Sequence, residues 1–229
     1  MLLDGAHLVG EALDAGLGFE VILVAASRRA TGSEAGRLAL ELERRGLPLV
    51  EADDRAFDAV SPVRSPSGIA AIGLRTASEP ASLCDRPDAF VLVVADVQDP
   101  GNVGALLRSA EAGGASANPF SWKALRGSMG SALRLPVVTG LPPDRVMTEM
   151  RQARMRTVAS VARGGADPDG VSWRGSVGLW IGGEGHGLAD DLVVQCDERV
   201  TIPMAPQVES LNAAVAGALL VYAARRQRT

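Results

Sequence analysis

The sequence predicts an α/β fold built from two consecutive domains, and three observations lead to this prediction. Short apolar or β-branched runs alternate with helix-compatible segments along the chain. The run FVLVVAD at 90–96 is continuously apolar, as expected for a central parallel strand buried on both faces. Glycine-dense or Pro/Asn-containing turns follow the runs at 90–96 and 177–181. Such turns at strand ends indicate a place where backbone groups hold a small ligand.

Residues 1–75 are predicted to form the first, smaller α/β domain. The expected elements are a helix at about 7–15, a buried strand at 19–25, a helix capped by Ser33 and ending at Gly46, a strand at 48–50, a helical turn at 56–60 and a strand at 67–73. Residues 76–88, TASEPASLCDRPD, have the composition of a linker and no periodicity. The second domain then covers 89–229.

The second domain is predicted to continue the alternation around a mainly parallel sheet. After the strand at 90–96 we expect a helix from about Asn102, a strand at 135–138, a helix at 146–154, a strand at 157–161, a polar loop at 167–174, strands at 177–181 and 199–202, and a helix at 211–226. The last helix is apolar nearly all round, which predicts burial on several sides.

Composition narrows the class of protein. No run approaches eighteen apolar residues, and the first residues lack the basic segment of a secretory signal, so we expect a cytoplasmic protein without a membrane span. The net charge of −4 argues against a general nucleic-acid binder but allows a local basic patch. Cys84 and Cys196 lie far apart, and the two histidines are scattered, so no metal site is expected.

Three motifs carry most of the functional information. They are DPGNVGALLRSA at 99–110, GGEGHG at 182–187, and IPM at 202–204 followed by SLN at 210–212. GGEGHG lacks the Lys-Ser/Thr of a P-loop, and no dinucleotide-binding glycine pattern follows the 90–96 strand. In order and spacing, the motifs resemble those of the SpoU/TrmH family of RNA ribose methyltransferases, which are members of the SPOUT class.

The resemblance implies a fold and an assembly. It implies a C-terminal SPOUT domain with a deep trefoil knot, an exception to the usual unknotted topology, and a homodimer formed through that domain, for which the last helix is a candidate interface. The N-terminal domain, through DG at 4–5, HLVGEA at 7–12 and SPSGI at 65–69, resembles the substrate-binding domain of many members, a fold shared with some large-subunit ribosomal proteins.

The resemblance also implies a cofactor and site residues. S-adenosylmethionine is the methyl donor, and the residues implied to hold it are Gly182, Gly183, Glu184, Ile202, Met204, Ser210 and Leu211. Arg108 is implied as the central catalytic residue, surrounded by Asn102, Glu184, Ser210 and Asn212. A free arginine is a poor base because its pKa lies above about 12. Arg108 therefore acts either as a base in an unusual environment or as a phosphate-binding group that stabilises the developing alkoxide.

Several of these residues are also suited to purely structural roles. Ser210 and Asn212 precede a helix and are suited to capping it, which is compatible with a role in the site. Glu184 is also suited to an ion pair within its own loop, and His186 is interpreted as a surface residue. Arg28 and Arg29, and Lys123 with Arg126 and Arg134, are candidate RNA phosphate contacts. Their alternative is solvated surface charge.

The sequence departs from the family after Gly113-Gly114-Ala115. Members carry about a dozen further residues here, a strand and a turn, before the segment that resembles ANPFSWKALRGSMG at 117–130. Either the strand is deleted or a segment is missing from the sequence. The expected function is 2′-O-methylation of ribosomal RNA of the 23S type. Methylation of tRNA and a non-catalytic RNA-binding or ribosome-assembly role are the alternatives, and a part in antibiotic self-protection is equally compatible with the sequence.

Overall fold

The computed structural model describes residues 1–30, 32–61, 63, 65–74, 78–113 and 122–228, with Gly113, Trp122 and Lys123 described by their backbone alone. The chain separates into two compact units, Met1–Thr76 and Ala77–Thr229. Each unit contains its own four-stranded sheet. Among the described helices, none combines the length and apolar character that crossing a bilayer demands.

The first unit is a mixed sheet with helices between its strands. Its sheet has the order β1-β4-β2-β3, in which β2 and β3 run parallel and β4 runs antiparallel to both of its neighbours. The elements are β1 (Leu2–Asp4), α1 (Ala6–Asp14), β2 (Phe19–Ala25), α2 (Ala26–Arg29), α3 (Glu34–Arg44), β3 (Leu49–Ala52), α4 (Asp54–Val60) and β4 (Ile69–Gly73).

Local signals account for most of these elements. The Ser33 hydroxyl accepts a hydrogen bond from the Gly36 N–H at 3.1 Å and caps α3, as predicted. Asp53 caps α4 in the same way through the Ala56 N–H at 3.0 Å. The three-residue strand β1 was not predicted, because it owes its conformation to antiparallel pairing with β4, about seventy residues away.

The second unit is built on a parallel sheet of order β5-β7-β6-β8. This confirms the predicted α/β class with a mainly parallel sheet. The elements are α5 (Pro80–Cys84), β5 (Phe90–Val94), α6 (Pro100–Gly113), α7 (Trp122–Ser128), α8 (Ser131–Arg134), α9 (Pro143–Gln152), β6 (Arg156–Ser160), β7 (Val177–Ile181), α10 (Asp190–Gln195), β8 (Glu198–Val200) and α11 (Ala213–Arg228).

Helices cover both faces of this sheet. Trp180 and Ile181 are neighbours in β7 and therefore point to opposite faces. Trp180 belongs to a buried cluster with Leu83 and Cys84 of α5 and Met147 and Met150 of α9. On the face of Ile181, α11 packs so closely on α6 that a Cβ at Gly217 would lie 2.2 Å from Leu106 Cδ2. Both layers exclude water from the strands that carry the loops described below.

The structure corrects the predicted position of the 90–96 strand. Among the described strands, β5 pairs with β7 alone and lies at the edge of the sheet rather than at its centre. The predicted strand at 135–138 is also wrong, because that segment pairs with no described strand and forms none. The short stretch at 113–118, where a strand is deleted or missing, falls almost wholly outside the described residues.

Two further predictions were wrong in part. The expected linker 76–88 contains helix α5, whose Leu83 and Cys84 are buried in the core of the second unit. Pro80 at the first helical position was the available signal for this helix. The last helix was expected to be buried on several sides. Instead, one face of α11 is buried, and the other exposes Val215, Leu219 and Tyr222.

Candidate functional site

Three loops of the second unit meet at the carboxyl edge of the parallel sheet. They follow β5, β7 and β8, whose parallel directions bring their carboxyl ends to one edge. The first loop leads into α6 and the third leads into α11. Ligands of open α/β sheets bind at this edge.

The first loop fixes the start of α6. Oδ1 of Asp99 accepts hydrogen bonds from the backbone N–H groups of Gly101 at 2.6 Å and of Asn102 at 3.0 Å. These are two of the N–H groups that a helix start leaves without intrahelical partners. Asp99 thus sets the backbone from which the Asn102 side chain projects.

Asn102 connects the first loop to the second. Its Nδ2 donates to Oε1 of Glu184 at 2.5 Å, and the backbone N–H of Gln98 donates to Oε2 of the same carboxylate at 3.2 Å. The two carboxylate oxygens of Glu184 are therefore engaged by the loop after β5 and by the first turn of α6. The alternative role of Glu184, an ion pair within its own loop, is not seen among the described residues.

Asn212 connects the third loop to Asn102 and, through it, to Glu184. Its Nδ2 donates to Oδ1 of Asn102 at 3.1 Å. Its Oδ1 accepts from the N–H groups of Ala214 at 2.9 Å and Val215 at 3.2 Å and so caps α11. The Asn212 side chain thus caps α11 and also contacts Asn102, so the two roles that the sequence suggested are compatible. We call Gln98, Asn102, Glu184 and Asn212 the amide–carboxylate network.

The glycine turn permits a close approach of two loops. A Cβ at Gly183 would lie 2.1 Å from the carbonyl oxygen of Asp96, so only glycine lets the turn after β7 press against the loop after β5. Gly187 has φ +68, and its N–H donates to the carbonyl of Gly183 at 3.1 Å, which closes the turn. The turn therefore presents Glu184 to Asn102 at hydrogen-bonding distance.

The network stabilises the charged form of Glu184. The hydrogen bond from the Asn102 side chain lowers the pKa of Glu184 below its ordinary value of 4.5, and backbone N–H groups lower it further. Glu184 is exposed, so its negative charge is accessible to a ligand at the strand ends. A fixed carboxylate of this kind favours a cationic group nearby.

The other two predicted catalytic residues, Arg108 and Ser210, form no hydrogen bond with the amide–carboxylate network. Arg108 is exposed on α6 and forms no hydrogen bond or ion pair with the described part of the chain. It lies six residues beyond Asn102, about 9 Å along the helix, and points in a direction that differs by roughly one third of a turn. Ser210 is exposed in the third loop and forms no described contact with the network.

The predicted cofactor residues lie in the second and third loops. Gly182 is buried and Gly183 half-buried at the end of β7. Ile202, Met204 and Leu211 are half-buried between β8 and α11. Apolar side chains, glycine backbone groups and a carboxylate suit a ligand with an adenine, a ribose and a methylsulfonium cation. Among the described residues, no group of histidine, cysteine, aspartate and glutamate is arranged to hold a metal ion.

The predicted RNA contacts fall in both units. In the first unit, Arg29 forms ion pairs with Glu43 at 2.8 Å and Glu51 at 3.3 Å. In the second unit, Arg126 is exposed on α7, and the Lys123 side chain lies outside the described residues. Arg134 pairs with Glu111 at 2.5 Å. The structure therefore engages Arg29 and Arg134 in ion pairs, which reduces the charge they offer to phosphate.

Sequence reasoning missed two contributors to the site. Gln98 acts through its backbone N–H, so its side-chain identity carried no signal. Asp99 was recognised as part of a motif, but its capping role was not assigned. An aspartate directly before a Pro-Gly-Asn helix start is a recognisable cap signal and would have revealed it.

The chain is similar to known proteins of one family. Residues 89–222 match the model of the SpoU rRNA Methylase family. The chain is 32% identical to the 23S rRNA (guanosine(2553)-2′-O)-methyltransferase RlmP of Bacillus subtilis, over 96% of this chain and 86% of that protein. It is also 32% identical to the 23S rRNA (guanosine-2′-O-)-methyltransferase RlmB of Xanthomonas campestris, over 91% and 88%.

A solved structure extends the likeness to nearly the whole chain. The SpoU methyltransferase AviRb from Streptomyces viridochromogenes, crystallised in complex with the cofactor AdoMet, superposes with a TM-score of 0.87 at 26% identity. The alignment covers 99% of this chain and 89% of AviRb. The likeness therefore extends to both compact units.

Proposed function

Because this chain belongs to the SpoU rRNA methylase family, we propose that it transfers a methyl group from S-adenosylmethionine to a ribose 2′-OH of ribosomal RNA. The observation that carries the proposal is the amide–carboxylate network, in which residues from three separate motifs meet through side-chain hydrogen bonds. Its relatives from Bacillus subtilis and Xanthomonas campestris are named for this reaction on 23S rRNA.

The cofactor is held by the second and third loops in this proposal. Gly182, Gly183, Ile202, Met204 and Leu211 line its pocket with backbone groups and apolar surface, and Glu184 and Ser210 supply polar contacts. S-adenosylmethionine supplies an activated methyl group, and its sulfonium sulfur leaves with the bonding electron pair. The Glu184 carboxylate, whose pKa the Asn102 hydrogen bond lowers, favours the cationic sulfonium in the ground state and orients Asn102.

The residues of the chain hold the ribose and stabilise charge on its oxygen. The 2′-oxygen forms a bond to the methyl carbon and loses its proton. Ser210 and Asn212 hold the ribose in line with the methyl group. Arg108 binds the adjacent phosphate and stabilises the developing alkoxide. A guanidinium acts as a base only where its surroundings disfavour its charge. Since Arg108 is exposed, the electrostatic role is favoured, with the proton passing to water.

The first unit is proposed as the substrate-binding domain, with the fold shared by some large-subunit ribosomal proteins. This proposal is supported by the likeness of nearly the whole chain to RlmP, RlmB and AviRb. Each alignment covers most of the relative as well as most of this chain. Arg28 and Arg29 there, and Lys123 and Arg126 on α7, are proposed to contact RNA phosphates. With ribosomal RNA as substrate, we place the protein in the cytoplasm.

The second unit is proposed to contain the trefoil knot of the SPOUT class and to form a homodimer. The likeness to AviRb supports the knot. The exposed apolar residues of α11, Val215, Leu219 and Tyr222, support the dimer because they are spaced four and three residues apart and thus share one helix face.

Substrate class is tested by parallel methyl-transfer reactions. The protein is incubated with methyl-labelled S-adenosylmethionine and either deproteinised ribosomal RNA or bulk tRNA. Label in ribosomal RNA alone is the expected result. Label in tRNA alone contradicts the proposed substrate. Cofactor binding without transfer to either RNA, or to ribosomal particles, contradicts the proposed activity and favours a non-catalytic RNA-binding factor.

A further inference from the structure

The loop after β6 separates the two loops that are proposed to hold the cofactor. In the sheet order β5-β7-β6-β8, β6 lies between β7 and β8, and these three strands run parallel. The carboxyl ends of β7 and β8 are therefore two strand spacings apart, about 10 Å. The second loop begins at one of these ends and the third loop at the other. A ligand that both loops hold lies across the carboxyl end of β6.

Residues 161–166, which we call the crossover loop, reach both edges of the chain at the end of β8. On one edge, the Val161 N–H donates to the carbonyl of Val200 at 2.9 Å. On the other edge, the Ala166 N–H donates to the carbonyl of Arg199 at 2.8 Å. Carbonyls of successive residues in an extended strand point to opposite edges. The crossover loop therefore passes across the backbone at the end of β8.

Gly165 lets the crossover loop lie directly on that backbone. A Cβ at Gly165 would lie 2.6 Å from the carbonyl carbon of Val200 and 2.8 Å from the backbone nitrogen of Thr201. Only a residue without a Cβ permits so close an approach of two backbones. The crossover loop therefore rests on the peptide bond between Val200 and Thr201, directly before the predicted cofactor residue Ile202.

The Thr201 side chain binds the crossover loop at two points. Its Oγ1 accepts a hydrogen bond from the Gly165 N–H at 2.9 Å and donates to the carbonyl of Val161 at 3.1 Å. A hydroxyl suits this position because one atom both donates and accepts. Thr201 is half-buried, so water competes only in part for these two bonds. One side chain thus holds both ends of the crossover loop against the start of the third loop.

We propose that Thr201 is a positioning residue for the binding of S-adenosylmethionine, an inference that rests on the proposed function. Its hydroxyl fixes the crossover loop between the second and third loops before the cofactor binds. Without the hydroxyl, the crossover loop has to be ordered during binding, and this ordering opposes binding. Thr201 acts through the crossover loop and not on the reacting atoms. Its loss should therefore weaken cofactor binding and leave the methyl-transfer step nearly unchanged.

Three substitutions separate the hydroxyl from the rest of the Thr201 side chain. Thr201→Val has nearly the same shape and lacks the hydroxyl, whereas Thr201→Ser retains the hydroxyl. Thr148→Val is the matched control, because the Thr148 hydroxyl donates to the Asp144 carbonyl at 2.8 Å within α9 and lies outside the cofactor loops. If Thr201→Val does not fold, Thr201→Ala replaces it, since it removes the hydroxyl without adding a methyl group.

Calorimetric titration with S-adenosylmethionine measures the expected effect. Thr201→Val should bind about five- to tenfold more weakly than the native protein, the change expected for loss of neutral hydrogen bonds. Thr201→Ser and Thr148→Val should stay within about twofold of the native protein. In methyl-transfer assays, Thr201→Val should raise the KM for the cofactor by the same factor and change kcat less than about twofold. A general loss of folded protein would instead lower kcat at an unchanged KM.

Hydrogen exchange of the protein without cofactor tests the structural step by itself. The Gly165 amide loses its acceptor in Thr201→Val, so its exchange should be about tenfold faster, and it should be unchanged in Thr201→Ser. Faster exchange with undiminished cofactor affinity would overturn the proposal, because the hydroxyl would then have a structural role alone. A lowered kcat with an unchanged KM would also overturn it. A native protein that binds no S-adenosylmethionine would contradict the proposed function itself and this inference with it, a failure that is distinct because it appears without any substitution.

Discussion

The side-chain amide of Asn102 donates to Oε1 of Glu184 at 2.5 Å, although the two residues lie 82 positions apart in the chain. This bond joins the loop after β5 to the glycine turn after β7, and Asn212 adds the loop before α11. A change in any one of these loops should therefore be felt in the other two.

Asn212 has two roles that two substitutions separate. Asn212→Asp retains the oxygen that caps α11 but removes the Nδ2 donor to Asn102, whereas Asn212→Ala removes both. We expect Asn212→Ala to lower the free energy of unfolding by about 1 kcal/mol and Asn212→Asp to leave it nearly unchanged. Both should slow methyl transfer about tenfold or more, the equivalent of one strong hydrogen bond. Urea unfolding and single-turnover assays check this, and full activity in Asn212→Asp would show that the link to Asn102 is dispensable.

The ionisation of Glu184 should depend on Asn102. The Asn102 hydrogen bond is the first cause of the lowered pKa of Glu184. This hydrogen bond stabilises the folded protein fully at pH values above the ordinary glutamate pKa of 4.5. The stabilisation is lost as the pH falls through the lower pKa that Glu184 has in the folded protein. Asn102→Ala should move the Glu184 carboxyl titration to higher pH. A ¹³C titration of the side-chain carboxyl measures it, and an unmoved midpoint would contradict the assigned cause.

Gly183 should tolerate substitution less well than Gly185 in the same turn. A Cβ at Gly183 would lie 2.1 Å from the Asp96 carbonyl oxygen, whereas a Cβ at Gly185 meets no heavy atom within 4 Å but sits at φ +89. We expect Gly185→Ala to destabilise by about 1–2 kcal/mol through backbone strain alone. Gly183→Ala should destabilise the protein more than Gly185→Ala does. It should also reduce the affinity for the cofactor, because the Asp96 backbone must move. Thermal unfolding and calorimetric cofactor binding measure both effects, and equal losses in the two variants would contradict the close approach.

The exposed stripe of α11 should control the oligomeric state. Leu219 is 49% exposed on that stripe, and Val194 on α10 is an exposed apolar control at 72%. Leu219→Lys should shift the protein from dimer to monomer, whereas Val194→Lys should leave the dimer intact, since a charge buried in an interface without a partner is unfavourable. Sedimentation velocity distinguishes the two. A dimer that survives Leu219→Lys would place the interface elsewhere.

Local sequence patterns predicted the elements whose structure is local. The strand at 177–181 and the Ser33 cap of α3 were correctly predicted because a short apolar run and a side-chain cap each act within a few residues. The edge position of β5 and the exposure of Leu219 were not predictable in this way. Both depend on which strands and surfaces lie beside them, and pattern alone does not contain that information.

The candidate site likewise contains features that the sequence predicted and features that it did not. The motifs indicated that Asn102, Glu184 and Asn212 belong together, and the structure joins them by hydrogen bonds. The contribution of the Gln98 backbone N–H could not be read from residue type. The offset of about 9 Å along α6 between Asn102 and Arg108 follows from their spacing in the sequence.

Nucleoside analysis of the RNA product tests ribose methylation most directly. Ribosomal RNA is incubated with the protein and S-adenosylmethionine, digested to nucleosides and examined by mass spectrometry. Arg108→Ala is compared with Arg145→Ala, which removes an exposed arginine of α9 that pairs with Glu149. We predict one 2′-O-methylnucleoside with the native protein and Arg145→Ala, and about a hundredfold less or none with folded Arg108→Ala, as for removal of one charge-stabilising group. A base-methylated nucleoside, or undiminished product with Arg108→Ala, would contradict the account.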